Sequence, residues 1–381
     1  MSTLALRYLE QYEQVATAVL RCSQLFGAAP FPVDLASFAA PKYRHQWIVT
    51  GLRIVQTLWA FILFVLSCEG SRYFFVASLR LPIFTTAIRY LFLSSNLLSM
   101  VLILVFCRIF KSRYRHFSTK IGGLLYAFHQ EGYEVNIPRL WRNNLSIVIA
   151  AGLFLTIDVV FLTSANPAYD LMSLTCIKIP EFIVVLSLSQ QWFALGLIVE
   201  MLRFCDQEIR KIGKQKTKLI ILQRRVRILC ELADEITQLF GAVSVIQLLR
   251  VIANSTMALS GVGFNFKIKY DTQTFILLHL FFFMEVTIVL LKLVLITYRQ
   301  HCVKRELKKT GATVCLIARP GLLKMVIQIS DLALQTQRGF KSVGLFVIDT
   351  SILPAMTTMI IAQMLNNLEL GSIHDESGKS A

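Results

Sequence analysis

Seven stretches of mostly apolar residues punctuate the chain, at 47–68, 82–107, 144–163, 179–202, 239–264, 275–296 and 343–365. Each is long enough to cross the hydrocarbon of a bilayer as a helix, and the pattern predicts seven spans. The polar gaps between them alternate: 69–81, 164–178 and 265–274 are short, whereas 108–143, 203–238 and 297–342 are long. In the gap 203–238 the helical pattern persists. Ile209, Ile212, Leu219, Leu222, Val226, Leu229, Ala233, Ile236 and Phe240 follow three- and four-residue steps broken only at Lys216. That row predicts that the flanking helices continue out of the membrane and bend at Gly213. The alternative is a helix lying on the membrane surface, where Arg224, Arg225 and Arg227 would meet anionic lipid.

Two other segments carry helix signals. Leu4 to Phe26 is amphipathic, stops at Gly27 and is followed by Pro30 and Pro32, which reads as a helix packed on the cytoplasmic side. Its charges at Arg7, Glu10, Glu13 and Arg21 lack the charged-then-apolar order of a cleavable signal peptide. Segment 297–342 has a basic cluster at Lys304, Arg305, Lys308 and Lys309, then a break at Arg319-Pro320-Gly321. Pro320 suits the first turn of a second helix, which runs to about Arg338-Gly339.

Composition narrows the class. Across 381 residues, 55% are hydrophobic and only 16% charged, with a mean hydropathy of +0.60; water-facing domains do not have such surfaces. The net charge of +16 suggests nucleic acid only when basic residues share a soluble face, and here they fill the gaps between apolar runs. Alternate gaps hold 29 and 6 Lys and Arg. Positive charge stays on the cytoplasmic side, so the N-terminus is predicted inside and the C-terminus outside. A G-protein-coupled receptor has the opposite arrangement, and no internal repeat supports an inverted-repeat transporter; these remain the rival non-channel readings. The 8 cysteines show no metal-ligand spacing, and only Cys68 and Cys176 lie near the outer side, where they have the opportunity to pair. No HExxH, GxSxG, Walker loop or GxGxxG is present, so neither an enzyme nor a cofactor is expected.

Charges within spans are costly and mark sites to be weighed. Arg53 and Lys292 lie near cytoplasmic ends and are expected to snorkel, while Glu181 and Glu200, near span ends, are expected to reach water. Arg250 and Glu285 fall near one midplane depth; Arg89 and Asp158 fall in the outer half. Each pair either neutralises itself as a structural bridge or lines a water-filled ligand cavity. Phe154, Phe161, Phe182, Gln190, Asn254, His279, Phe281, Phe282 and Phe283 lie at similar depth. An aromatic cavity with few polar groups suits a small organic ligand. In the last span Asp349, Ile352, Met356, Met359 and Gln363 share a face, polar at its ends and apolar between, as a dewetting gate requires; the alternative is packing against neighbouring helices.

The stretch Ser330 to Gln363, SDLALQTQRGFKSVGLFVIDTSILPAMTTMIIAQ, resembles the C-terminal region of insect gustatory receptors, whose inverted seven-span architecture is shared with insect odorant receptors. The family's signature there is Thr-Tyr, five apolar residues, then Gln-Phe. Setting its Gln on Gln363 places Met356 and Thr357 on Thr-Tyr and Met364 on Phe; an ungapped match instead begins the signature near Ala362. The resemblance implies an all-α plasma-membrane protein, a ligand-gated cation channel subunit opened by a small organic tastant, in a homo- or hetero-tetramer with related subunits. It assigns 1–46 to a cytoplasmic helical region, 47–296 to six spans holding the ligand, 203–238 and 297–342 to cytoplasmic anchoring helices, 343–365 to the pore and 366–381 to an extracellular tail. Under it, Arg89, Phe154, Asp158, Phe182, Gln190, Asn254, His279, Phe282 and Glu285 line the ligand cavity.

Overall fold

A computed structural model of the chain describes residues 22–29, 46–78, 83–133, 136, 139, 140, 142, 143, 145–150, 152, 153, 156, 177–212, 216–265, 272–317, 341, 342, 346, 347, 354–358, 361, 362 and 365; near some helix ends only the backbone is described. The architecture is helical. Its long elements are α1 (Gln46–Ser78), α2 (Ile83–Ile109), α3 (Lys111–Gln130), α4 (Ile179–Ile212), α5 (Lys216–Asn265) and α6 (Thr272–Ile317). Among the described residues the β structure is a two-residue antiparallel ladder, β1 (Lys341–Ser342) with β2 (Phe346–Val347).

The 50 residues of α5 make a rod about 75 Å long, and α6 has 46 residues. Both outrun the apolar runs predicted for them. The extra length of α5 belongs to the helical row from the gap 203–238, whose Leu219, Leu222, Val226, Leu229, Ala233, Ile236 and Phe240 are buried in one core with Ile209 of α4, and the extension of α6 enters the same core through Cys302, Val303, Leu307 and Val314. That core joins α3, α4, α5 and α6 at the end where α4 stops and α5 begins, hereafter the basal half. Ile212 and Lys216 bracket the expected bend; Gly213 itself lies outside the described residues.

A second core joins α1, α2, α4, α5 and the start of the basal run of α6, with Leu63, Met100, Ile103, Ile183, Leu186, Val243, Leu248 and Leu295 at its centre. The surface around this core is itself apolar. Ile54, Val55, Leu58, Phe61, Ile62, Val65 and Leu66 on α1 are exposed, as expected of side chains that meet lipid tails. Ile179–Lys211 and Thr217–Ile252 are long and apolar enough to cross a membrane.

The two halves meet at a corner. Ser94–Ile109 and Lys111–Gln130 are inclined at 70°, so the chain turns where the apolar run of the second span gives way to Lys111 and Arg113. α3 closes with Gly132 at φ 79°, the left-handed position that lets Tyr133 N–H return to Phe128 O and Gly132 N–H to His129 O. Tyr133 then stacks on Phe204 at 4.1 Å and its hydroxyl donates to Glu200 O at 3.2 Å, fastening α3 to α4.

Candidate functional site

Three polar side chains recur on α5 at three-residue steps, Ser244, Gln247 and Arg250. Such a stripe on an otherwise apolar helix must find partners inside the bundle, and it does so layer by layer. Ser244 Oγ donates to Gln191 Oε1 of α4 at 3.4 Å. Gln247 Nε2 donates to Ser99 Oγ of α2 at 2.7 Å. Arg250 Nη1 donates to Asn96 Oδ1, one turn further along α2, at 2.8 Å.

Above these layers lies a charged group. Asn96 Nδ2 donates to Ile177 O at 3.0 Å, which pins the chain just before α4. Pro180 occupies the first turn of that helix and Glu181 follows it, an acidic residue where the helix dipole favours negative charge. Arg250 Nη2 lies 3.4 Å from Glu181 Oε2, and Lys292 Nζ of α6 donates to Glu181 Oε1. Glu181, Arg250 and Lys292 are 0%, 1% and 1% exposed, and Lys178 beside them is also buried. One carboxylate thus binds two helices to a third. In so low a dielectric the attraction is strong, and it offsets a desolvation cost of comparable size.

Two sequence expectations change here. Glu181 does not reach water, because α4 begins deep: α5 continues about four turns beyond Arg250, and α6 runs about five turns before Lys292. Lys292 does not snorkel, since Glu181 holds it within the bundle. Arg250, set by the sequence at one depth with Glu285 either as a mutual pair or as lining of a cavity, has its described ion pair with Glu181, and the side chain of Glu285 lies outside the described residues. Asn96, Ser99, Gln191 and Gln247 escaped the sequence reading, although the three-residue spacing on α5 was a usable signal.

Two of the expected ligand-lining residues are described, and both touch the N-terminal turn 22–29. Gln190 Nε2 donates to Ala28 O at 3.0 Å, and Phe182 meets Phe26 edge-on with ring centroids 5.0 Å apart. Arg89, Asn254, His279, Phe282 and Glu285 lie on α2, α5 and α6 with side chains outside the described residues. Phe154, Asp158, Asp349, Ile352, Met359 and Gln363 fall outside them altogether, as does Cys176; Cys68 is a free thiol.

Met356, expected on the gate face, is covered by its own chain. It is 5% exposed and packs in the same core as Leu63, Met100 and Ile183. Ala355, Thr358, Ala362 and Leu365, spaced by three and four residues, are exposed instead. Thr358 Oγ1 returns its proton to Pro354 O at 3.0 Å, leaving a hydroxyl lone pair on that outer face.

Comparison with known proteins places this geometry. The sequence model of the family described as 7tm Chemosensory receptor matches residues 17–365. The insect olfactory receptor OR5 from Machilis hrabei in complex with eugenol superposes with a TM-score of 0.61 at 14% identity, over 94% of this chain and 99% of that one. The structure of the same receptor described without eugenol gives the same score and identity over 96% and 99%. Among curated proteins none matches the sequence.

Proposed function

Because the chain belongs to the 7tm chemosensory receptor family, we propose that it is a subunit of a cation channel opened by a small organic ligand in the plasma membrane. Four subunits, identical or related, surround the pore. The N-terminus is cytoplasmic and the C-terminus outside, in keeping with the imbalance of 29 to 6 basic residues across alternate gaps. The ligand sits among the outer parts of the second to sixth spans, with Arg89, Phe154, Asp158, Asn254, His279, Phe282 and Glu285 as its neighbours and the Glu181 group as its floor. A tastant fits this reading, and eugenol in the Machilis receptor is a ligand of the same size class.

The observation that carries the channel reading is that, among the described residues of 354–365, Met356 alone is buried, while Ala355, Thr358, Ala362 and Leu365 stand uncovered together with Pro354, Thr357 and Ile361. A helix at a pore axis must show its own subunit one apolar face and leave a second face uncovered for the pore. Ala355, Thr358 and Ala362 on that second face, small or hydroxylated, with the apolar Leu365 beyond them, suit a water column that wets and dewets. Asp349, Ile352, Met359 and Gln363 share the face of Met356 by helical spacing, so in this proposal the gate lies on the neighbouring stripe.

The test is a surface-expressed full-length chain under voltage clamp. Thr358→Asn is expected to carry cation current without ligand, abolished when sodium is replaced by N-methyl-D-glucamine, and Met356→Asn is not. An epitope after Ser377 is labelled on intact cells and one before Leu4 is not. If both variants reach the surface as tetramers and both stay silent, the channel reading fails; if Met356→Asn conducts and Thr358→Asn does not, the original face is the pore.

A further inference from the structure

The turn that touches Phe182 and Gln190 is built in a way that invites a role of its own. Its helical residues end in a left-handed glycine, Gly27 at φ 73°, with Ala28 N–H returning to Ser23 O at 2.7 Å and Gly27 N–H to Gln24 O at 3.2 Å. A Cβ at position 27 would lie 2.8 Å from Leu104 Cδ2, so only glycine satisfies both the backbone and the space. Ala28 and Ala29 are buried.

The turn joins the bundle through its backbone carbonyls. Gln56 Nε2 of α1 donates to both Gln24 O at 2.6 Å and Ala29 O at 3.0 Å. Ala28 O accepts from Cys107 Sγ of α2 at 3.0 Å and from Gln190 Nε2 of α4 at 3.0 Å. Three helices therefore hold one short segment by single side chains, and the segment bridges α1 and α4, which pack on α2 and not on each other along their lengths. Arg108 Nη2 of α2 donates to Gln56 O of α1 at 3.2 Å, which ties the two helices together beside the turn. The face of α4 that bears Phe182 and Gln190 is fastened to this turn, and Glu181 beside Phe182 is fastened to α5 and α6.

We propose that residues 22–29 form an intramolecular strap that holds α4 against α1 and α2 and keeps the channel closed. The regulatory part rests on the channel reading above. Release costs a few hydrogen bonds, one aromatic contact and the burial of Ala28, Ala29 and part of Phe26, a smaller loss than parting α4 from α5 and α6, so the strap is the breakable element around α4. When it leaves, Gln56 and Gln190 turn to water, Cys107 is uncovered, and α4 is free to shift against the Glu181 group.

The experiment uses the full-length chain at the cell surface and three variants, Gly27→Val, Gln56→Ala and Gln190→Ala, with Thr358→Asn as the conducting reference. Two quantities are read in each: ligand-independent cation current per surface subunit, and modification of Cys107 by N-ethylmaleimide by peptide mass spectrometry, with buried Cys205 as the unreactive internal standard. Each strap variant is expected to raise both severalfold over the unchanged protein. Gln56→Ala and Gln190→Ala keep the test decisive if Gly27→Val fails to reach the surface. Unchanged labelling of Cys107 shows that the turn is not released and overturns the proposal. Increased labelling with unchanged current, while Thr358→Asn conducts, makes the turn a structural anchor and overturns its regulatory role. Silence of Thr358→Asn together with all strap variants removes the channel reading and the regulation with it.

Discussion

The two halves of the bundle are arranged inside out with respect to each other. In the basal half the centre is mostly apolar, with Phe128, Leu202, Leu229 and Val303 buried, and each of these ion pairs has a partner toward the outside: Arg225 forks onto Glu131, Lys120 meets Glu235 at 2.8 Å, Arg227 meets Glu231 at 3.1 Å, and the buried carboxylates Asp206 and Glu306 are met by the more exposed Arg210, Lys309 and Arg203. In the other half the surface of α1 is apolar and the polar groups are inside, from Gln191 and Gln247 up to Glu181, Arg250 and Lys292. α4, α5 and α6 pass through both without interruption, so the same helices must change which face is buried polar and which is exposed. The solvent decides this. Water accepts a charged shell, whereas lipid forces polar groups inward, where each has to be satisfied by a protein partner.

The largest expected effect follows from removing the inner carboxylate. Glu181→Ala takes away the partner shared by Arg250 and Lys292 and should cost about 3–5 kcal/mol, seen as loss of the monodisperse peak in detergent chromatography with heating. A stability equal to the unchanged protein would mean that the inner charges are not held by that carboxylate. The next concerns the shell. Ile62→Asp puts a charge where lipid is inferred and should cost roughly 2.5–3.5 kcal/mol of insertion energy, read as core glycosylation of a reporter tag or as surface yield. Normal insertion would show that the α1 face meets protein or water.

The basal half should respond weakly to losses at its surface. Arg225→Ala removes a partly exposed ion pair and a guanidinium 5.0 Å from the Phe128 ring centroid, worth about 1 kcal/mol together; the effect should shrink in high salt, and a salt-independent loss would assign it to packing. Smallest is Ile220→Asp, a charge on an apolar but basal exposed position, expected within about 0.5 kcal/mol of neutral. If Ile220→Asp abolishes assembly while Ile62→Asp is tolerated, the assignment of lipid and water to the two halves is reversed.

Much of this contrast was readable from residues. The helical row from Ile209 to Phe240 marked the basal core, because an unbroken three- and four-residue rhythm leaves one face needing burial. Gly27 marked the end of the N-terminal helix because a left-handed cap favours glycine. The charged group was misread for a reason that periodicity cannot supply. Depth was counted from the ends of apolar runs, and such runs say how long a helix is but not how far its neighbours extend past it. Glu181 therefore looked like a rim residue of a short span, when α5 and α6 rise well above it. Met356 meets the same limit: spacing puts it on one face with Ile352 and Met359, but its burial against Leu63 and Met100 depends on helices distant in sequence.

The shared basal core also sets an order of events during synthesis. Ile121, Leu125 and Phe128 leave the ribosome long before Cys302, Val303, Leu307 and Val314, yet all lie in one core. Until the distal end of α6 has been made, the apolar faces of α3, α4 and α5 stand in the aqueous phase without their last partner. Such pairing between distant parts of a chain is slow and exposes sticky surface meanwhile. The nascent protein should accordingly depend on chaperones over that interval, and a truncation before Cys302 should be degraded even though six of its apolar runs are already complete.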